Sequence, residues 1–494
     1  MFFGNGKLWL LLPRFAAWLS ADPSQPLDKL TLLLATKAGP SSAQGPDAVP
    51  GEHAECARVP DLECGKGVFS WCNMPHVTPD TYEDPPSRYS LEYVEVIQRH
   101  HKRTPYGSNI FPREDIEWSC DDVGVLSGLT FSGDYGTSAV VQRENNWDDT
   151  NPFKVLDKVG FVNSSCQFPQ ITKGGLVDSV VHGSDLRKVY GERLKLSSHY
   201  DPSEASFRIT NNVITSQVAS GLLRGFYPEQ DLSRPTPVQI QPSSMDSLEP
   251  TYSCPRANAL RDSFTTGNNG AVWREHLQKA RDEGLWDELD SISGVPTDDR
   301  GWHVSFDHYF DNLSAKLCHR KPLPCNLKDR SLCISRETAD KVFDIGHWEY
   351  LYLFREAVGS HEYSALKSGA WMLELRSRLY SKIEGTHKVR YAHNVAHDGS
   401  ISSLLGFLQV EGMAWPGMGS EVVFELYRDA ARASAPPPTT DGWYVRVLWS
   451  GQVMRTVSTL GVLDMVPLNA FFEYIDSTVG SGSELYNRCF TTLE

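Results

Sequence analysis

The stretch LEYVEVIQRHHKRTPYGSN, residues 91–109, combines two patterns that together point to one kind of fold. Leu91–Ile97 is short, rich in β-branched residues and bounded by polar ones, which is the pattern of a buried strand. Arg99, His100, His101, Lys102 and Arg103 then stand in a row, with Thr104 and Pro105 behind them. Crowded like charges repel unless something negative sits among them. The row falls where the strand ends and a turn begins, and open α/β sheets bind ligands outside the carboxyl ends of their strands. An anion is the natural occupant.

Working outward, the basic row admits three uses. A solvated charged loop is the plainest. Metal binding is the second, since His100 and His101 are adjacent and His393 and His397 have the i, i+4 spacing that chelates zinc on a helix. Arg99, Lys102 and Arg103 would repel a divalent cation, which counts against it. The third is an anion site with a nucleophilic histidine. Guanidinium groups grip phosphate oxygens in pairs and stabilise the charge that develops as a bond to phosphorus forms. Such chemistry needs an acid for the departing alkoxide. Asp398, beside His397 in AHDGS (396–400), stands at a second strand-to-helix junction and is the candidate.

The bulk properties narrow the setting. Among 494 residues, 40% are hydrophobic and 22% charged, as in ordinary globular proteins. A net charge of −15 argues against a general nucleic-acid binder and makes the basic row a local exception. Ten cysteines without a CxxC pair fit disulfides better than a metal site, and Cys120 and Cys166 read as disulfide-forming rather than nucleophilic. Sequons at Asn163 and Asn312, with a leader-like KLWLLLPRFAAWLSA (7–21), indicate the secretory route, to a secreted or vacuolar destination. No apolar run reaches the ~20 residues of a membrane span.

Along the chain, residues 1–55 read as a leader and flexible linker, KAGPSSAQGPDAVPGE (37–52) being rich in proline, glycine and serine. Residues 56–257 form the first part of an α/β domain, with a helix over 171–194, a strand at 205–210 and a second helix around Val218, Leu222 and Phe226. Pro235, Pro237 and Pro242 mark an extended crossing. Residues 258–385 carry amphipathic helical patterns and form a helical insertion. Strand patterns return over 386–494, broken by a helix whose apolar face is Ile401, Leu404, Leu405 and Leu408 and whose cap is Ser400 or Asp398. The fold class is α/β: a mostly parallel central sheet flanked by helices, with a smaller helical insertion.

With these segments in view, the chain resembles the histidine phosphatase superfamily in its acid phosphatase and phytase branch. The family's nucleophile motif R-H-G-x-R-x-P is similar to R-H-H-K-R-T-P at 99–105, and its distal H-D followed by a helix to His397-Asp398. Residues 170–190 resemble the family's G-Q-L-T-x-x-G segment and its downstream L-R-x-R-Y, keeping Gln170, Thr172, Gly175, Gly183, Leu186, Arg187 and Tyr190. WPGMGSEVVFELYR (415–428) and YVRVLWSG (444–451) look like the family's following strand and hairpin. The resemblance implies hydrolysis of a small-molecule phosphomonoester in two steps. His100 attacks phosphorus, Arg99, Arg103 and His397 grip the phosphoryl group, Asp398 protonates the leaving oxygen, and water cleaves the phosphohistidine. It implies neither a metal nor an organic cofactor, and the need to keep Asp398 protonated beside the arginines and a helix N-terminus predicts an acid pH optimum.

The chain also departs from that pattern. His101 replaces the glycine after the nucleophile, and its side chain either forms a pocket wall or contacts substrate. A further phosphate-binding arginine of the family falls on Ile214, and Arg208, six residues earlier, either reaches the pocket in its stead or only anchors a strand end. These departures suggest the alternative of a phosphate- or inositol-phosphate-binding protein with weak or no turnover. Phytate would require a strongly basic rim, and none is evident in so acidic a chain. His347 reads as packed, and the tryptophans as core and pocket wall.

Overall fold

The computed structural model describes residues 69–128, 139–146, 148, 150–152, 163–231, 235–267, 269–432 and 439–492. The leader, the linker, Cys56 and Cys64 lie outside the described residues. The strand expected at Leu91–Ile97 is β1 (Tyr89–Arg99), buried at every residue from Tyr93 onward. The others are β2 (Val125–Ser127), β3 (Val141–Arg143), β4 (Ala205–Ile209), β5 (Tyr391–Ala396), β6 (Glu421–Asp429), β7 (Trp443–Trp449), β8 (Gln452–Val453) and β9 (Val466–Pro467). The main sheet runs β4-β5-β1-β6-β7-β8, with β9 also on β7, so β1 sits at its centre.

The class is α/β, as expected, but the sheet is mixed rather than mostly parallel. β4, β5 and β1 are parallel, whereas β6 returns antiparallel to β1, and β7, β8 and β9 continue antiparallel. Connection length accounts for the antiparallel pair β7–β8, which is joined by Ser450 and Gly451 alone. A parallel pair needs a crossover of a dozen or more residues, usually helical, while an antiparallel neighbour needs only a short link. The link from β5 to β6 runs over residues 397–420 and contains the helix Asp398–Leu408, so its length permits either direction, and β6 takes its place antiparallel on β1.

Alternation along β1 feeds two cores, because successive side chains of a strand point to opposite faces. Val94 and Val96 pack with Leu186 and Val189 of α1 (Lys173–Tyr190) and with Leu222 and Phe226 of α2 (Val213–Phe226). Tyr93 and Ile97 join the larger core on the other face. That core is built on α3 (Pro255–Thr265), α4 (Ala271–Asp282), α5 (Leu285–Ser293), α6 (Asp307–Cys318), α7 (Arg336–Leu351) and α8 (Ser360–Ile383). It also takes in α9 (Asp398–Leu408), α10 (Leu468–Val479) and α11 (Gly482–Cys489). The expected face Ile401, Leu404, Leu405 and Leu408 is wholly buried there. Glu95, on this same face of β1, is held by Arg378 through bonds of 2.8 and 2.7 Å. A buried carboxylate is tolerable only with such a partner.

Disulfides join Cys72–Cys318, Cys120–Cys166, Cys254–Cys489 and Cys325–Cys333. Of the two sequons, Asn163 is exposed, but Asn312 is fully buried on α6. Its amide donates to the Asn109 carbonyl at 2.8 Å, so the folded chain offers no glycan acceptor at Asn312. A tripeptide pattern carries no information about burial. No helix among the described residues is long and apolar enough to cross a membrane.

α1 and α2 touch backbone to backbone. A Cβ at Gly183 would lie 2.1 Å from the Leu222 carbonyl oxygen, and one at Gly225 would lie 1.9 Å from that of Val180. Gly225→Ala must therefore push the helices apart, and we expect a loss of about 1–3 kcal/mol, the usual cost of overpacking. A lowered urea midpoint with unchanged slope would show it.

Candidate active site

The parallel register of β1 on β5 builds the site. Arg99 lies opposite Ala396, so the residues that follow, His100 on one strand and His397-Asp398 on the other, leave the sheet side by side. The His100 amide donates to the Ala396 carbonyl at 3.0 Å, and the rings of His100 and His397 stand 5.5 Å apart. β4 ends beside them, and Thr210 just beyond it bonds the His397 ring at 2.9 Å. α9 starts at Asp398, with His397 in the N-cap position and no side-chain cap, so neither Ser400 nor Asp398 caps it.

The turn after β1 is clasped by residues 170–172. The Thr104 amide donates to the Gln170 carbonyl at 2.9 Å, and Arg103 bridges Ile171. Gly175, in the first turn of α1, sits against this turn so closely that a Cβ would lie 2.0 Å from the Lys102 carbonyl oxygen. Thr172 caps α1 by accepting from the Gly175 amide. These contacts explain why Gln170, Thr172 and Gly175 accompany the basic row in the sequence.

Arg99, His100, Arg103, His397 and Asp398 line one cavity of about 360 Å³. The His100 Nδ1 faces the His101 carbonyl at 3.1 Å. A carbonyl can only accept, so Nδ1 carries the proton and Nε2 keeps its lone pair. Burial, then Arg103, Arg99 and His397, hold the His100 pKa well below the ordinary histidine value. Both effects favour the neutral ring, with the Nε2 lone pair free. Arg99 donates to Asp398 Oδ2 at 2.9 Å and lies over the Trp71 ring at 4.7 Å. Burial pushes the Asp398 carboxyl up, but Arg99, a 2.9 Å bond from the Trp415 indole N–H, Arg103 and His397 outweigh it and leave the pKa below the usual aspartate value. Arg103 is held by Asp311 of α6 at 3.0 and 3.3 Å and covers the Tyr106 ring.

Other expectations divide. Arg208 does not line the cavity; it bonds Glu374 at 2.8 Å, Asp246 at 2.9 Å and Ser247 at 3.0 Å. It anchors the 246–250 loop that carries Glu249 to the cavity wall, so it does not replace the family arginine. Ile214 is fully buried against Ile171, Ile209, Val218 and Val395. His101 neither walls the pocket nor faces substrate. It points into a buried polar cluster, 2.9 Å from Gln98 and 3.3 Å from His182, which in turn meets Glu421 at 2.8 Å. Space for that ring comes from Gly419, at φ 75°, where a Cβ would lie 2.6 Å from His101 Cε1. His393 lies on β5, not on a helix, and its ring bonds Tyr391 and Gln98, away from His397. His347 is packed among Phe69, Trp71 and Phe310, and burial takes its pKa down to about 4.

Sequence reasoning missed Asp311, Glu249, Asp307, Tyr350, Lys367 and Ser400 in the wall, and it foresaw Trp415 only as one of several tryptophans. Asp311, Asp307, Tyr350 and Lys367 come from the helical region, where nothing local distinguishes them from surface residues.

The model for the histidine phosphatase superfamily (branch 2) matches residues 90–450. Counting factor 60 of Dictyostelium discoideum is 23% identical over 426 residues, covering 82% of this chain and 89% of its own. The 2-phosphoxylose phosphatase 1 of Homo sapiens is 24% identical over 442 residues, covering 85% of each. Among solved structures, the multiple inositol polyphosphate phosphatase of Bifidobacterium longum, in complex with inositol hexasulfate, shares the fold. Its TM-score is 0.53 at 10% identity, over 84% of this chain and 97% of that one.

The electrostatics give a signed expectation. Trp415→Phe removes a donor that favours the Asp398 carboxylate, so the Asp398 pKa should rise and a step needing its protonated form should persist to higher pH. The basic limb of the kcat profile should move upward by about half a unit or more, a hydrogen bond being worth roughly 1 kcal/mol. A limb that stays put or moves down counts against the assignment.

Proposed function

The chain belongs to the histidine phosphatase superfamily, branch 2, and on that premise we propose a phosphomonoesterase that works through a phosphohistidine on His100 with Asp398 as proton donor. The observation that carries this reading is the fixed tautomer of His100, whose unprotonated Nε2 shares a cavity with Arg99, Arg103, His397 and Asp398. Substrate enters with its phosphoryl oxygens on Arg99, Arg103 and His397. Nε2 attacks phosphorus, the P–O bond to the alcohol breaks, and Asp398 gives its proton to the leaving oxygen. Water then attacks the phosphohistidine, the N–P bond breaks, and the Asp398 carboxylate takes the proton, releasing inorganic phosphate.

The low pKa of free Asp398 has a resolution within this scheme. When phosphate draws Arg99 away from Asp398, the carboxylate loses its strongest counter-charge and gains an anionic neighbour, and both changes raise its pKa. A monoanionic ester can also deliver the proton. Both favour an acid optimum. As pH falls from 7 to 5, kcat/KM should show no loss with the ordinary histidine pKa near 6.5, because the depressed pKa keeps His100 neutral. A single-proton loss centred there would overturn the assignment.

A second reading, phosphate binding with weak turnover, is favoured by the apolar surroundings of Ile214 and the engagement of Arg208 elsewhere. Acid quenching with labelled aryl phosphate separates the two. The enzyme should trap label, and His100→Ala should trap none. Asp398→Asn should lower kcat about 10²–10⁴-fold for an alkyl phosphate, and much less for p-nitrophenyl phosphate, whose leaving group needs little protonation. Four disulfides and the exposed Asn163 support a secreted or vacuolar setting. Residues 258–385, read as the helical insertion, bring Asp307, Asp311, Tyr350, Phe354, Tyr363 and Lys367 to the cavity wall.

A further inference from the structure

Beyond the phosphoryl seat the cavity changes character. Among the described residues three cationic side chains line it, Arg99, Arg103 and Lys367, against four carboxylates, Asp398, Asp311, Glu249 and Asp307. The arginines are already committed to the one phosphoryl group that reacts. The remaining cation, Lys367 of α8, donates to the Pro250 carbonyl at 2.6 Å. A second phosphate on the substrate would meet Lys367 together with Glu249 and Asp307. Arg261 of α3 is near enough to act on Lys367, but it does not line the cavity. Glu249 contacts His397 at 3.5 Å, and Asp307 is paired with His308 at 2.8 Å. The side chains of Glu249 and Asp307 stay 38% and 50% exposed, so both carboxylates face the entrance as well as their partners.

The same wall suits an uncharged polar ligand. Ser400 lines the cavity, and its buried hydroxyl has no hydrogen-bond partner within the described chain. A buried hydroxyl without a partner costs free energy that a ligand hydroxyl would recover. Tyr350, Phe354 and Tyr363 supply apolar faces beside it, Tyr350 being fixed by stacking on Trp415 at 3.9 Å. Aromatic faces with a few directed polar groups are the usual lining of a small-molecule site. Resting on the phosphatase reading, we propose that the cavity selects monophosphate esters of uncharged, hydroxyl-bearing alcohols, sugar phosphates being the class that fits, and rejects polyphosphorylated substrates. Glu249 and Asp307 are its specificity-determining residues.

The test compares kcat/KM for glucose 6-phosphate and myo-inositol hexakisphosphate. Wild-type protein should prefer the sugar phosphate by about tenfold or more, and the double variant Glu249→Gln, Asp307→Asn should shrink that preference by about tenfold, since discrimination here rests on repulsion. Losses common to both substrates cancel in the ratio. A wild-type preference for the hexakisphosphate, or a ratio the double variant leaves unchanged, overturns the proposal. Binding of the hexakisphosphate to His100→Ala protein, with and without the two substitutions, decides the matter without turnover. The substitutions should tighten Kd about tenfold, and an unchanged Kd refutes the proposal. Failure of every phosphate ester to turn over, phenyl phosphate included, would sink the phosphatase reading and leave this binding result to stand or fall alone.

Discussion

The pairing of Arg99 with Ala396 across two parallel strands is the constraint on which the site depends. Nearly three hundred residues separate His100 from Asp398, and the whole helical region 258–385 lies between them. Parallel ladders bring both strands to their carboxyl ends at one edge of the sheet. A slip of one residue would turn every side chain of β1 to the opposite face, placing Val94 and Val96 where Glu95 meets Arg378. The two cores flanking β1 exclude that slip, so packing energy far from the cavity sets the geometry within it.

Charge in the cavity is balanced by pairs rather than left free. Arg99 holds Asp398 and Arg103 holds Asp311, each nearly shut off from water on the arginine side. Isolated guanidinium groups at that depth would be costly, and the carboxylates make them tolerable. The arrangement also tunes the chemistry. In the proposed reaction a substrate phosphate competes with those carboxylates for the arginines, which would couple binding to the protonation of Asp398.

Where the chain departs from the family motif, the surroundings have been rebuilt to match. His101 stands where the motif has glycine, and the close approach is provided from across the gap by Gly419. The histidine side chain joins Gln98, His182 and Glu421 in a buried network instead of entering the cavity. Ile214 is seated among other aliphatic side chains, and Arg208 fastens the loop that brings Glu249 to the wall. Neither Ile214 nor Arg208 lines the cavity, and Glu249 adds a carboxylate to its wall.

Local pattern was enough for β1, α1, β4, α2 and the helix after Asp398, because strand and helix periods are written in neighbouring residues. It also sufficed to place the basic row and the His397-Asp398 pair at strand ends, while residue type alone left the use of the basic row open among three readings. Strand direction after β5 was not legible, since parallel and antiparallel neighbours show the same alternation along a single strand. Nor were the burial of Asn312, the turn of His101 away from the cavity into a buried cluster and the engagement of Arg208, each decided by partners distant in the chain. The carboxylate wall belongs to the same group. Asp307 and Asp311 look like ordinary acidic residues of an amphipathic helix, and only the packing of that helix over the end of the sheet gives them a cavity to face. The chain's order alone determined which chemistry was present; the tertiary fold decided which side chains share one small volume, because proximity across the chain is a property of packing and not of spacing.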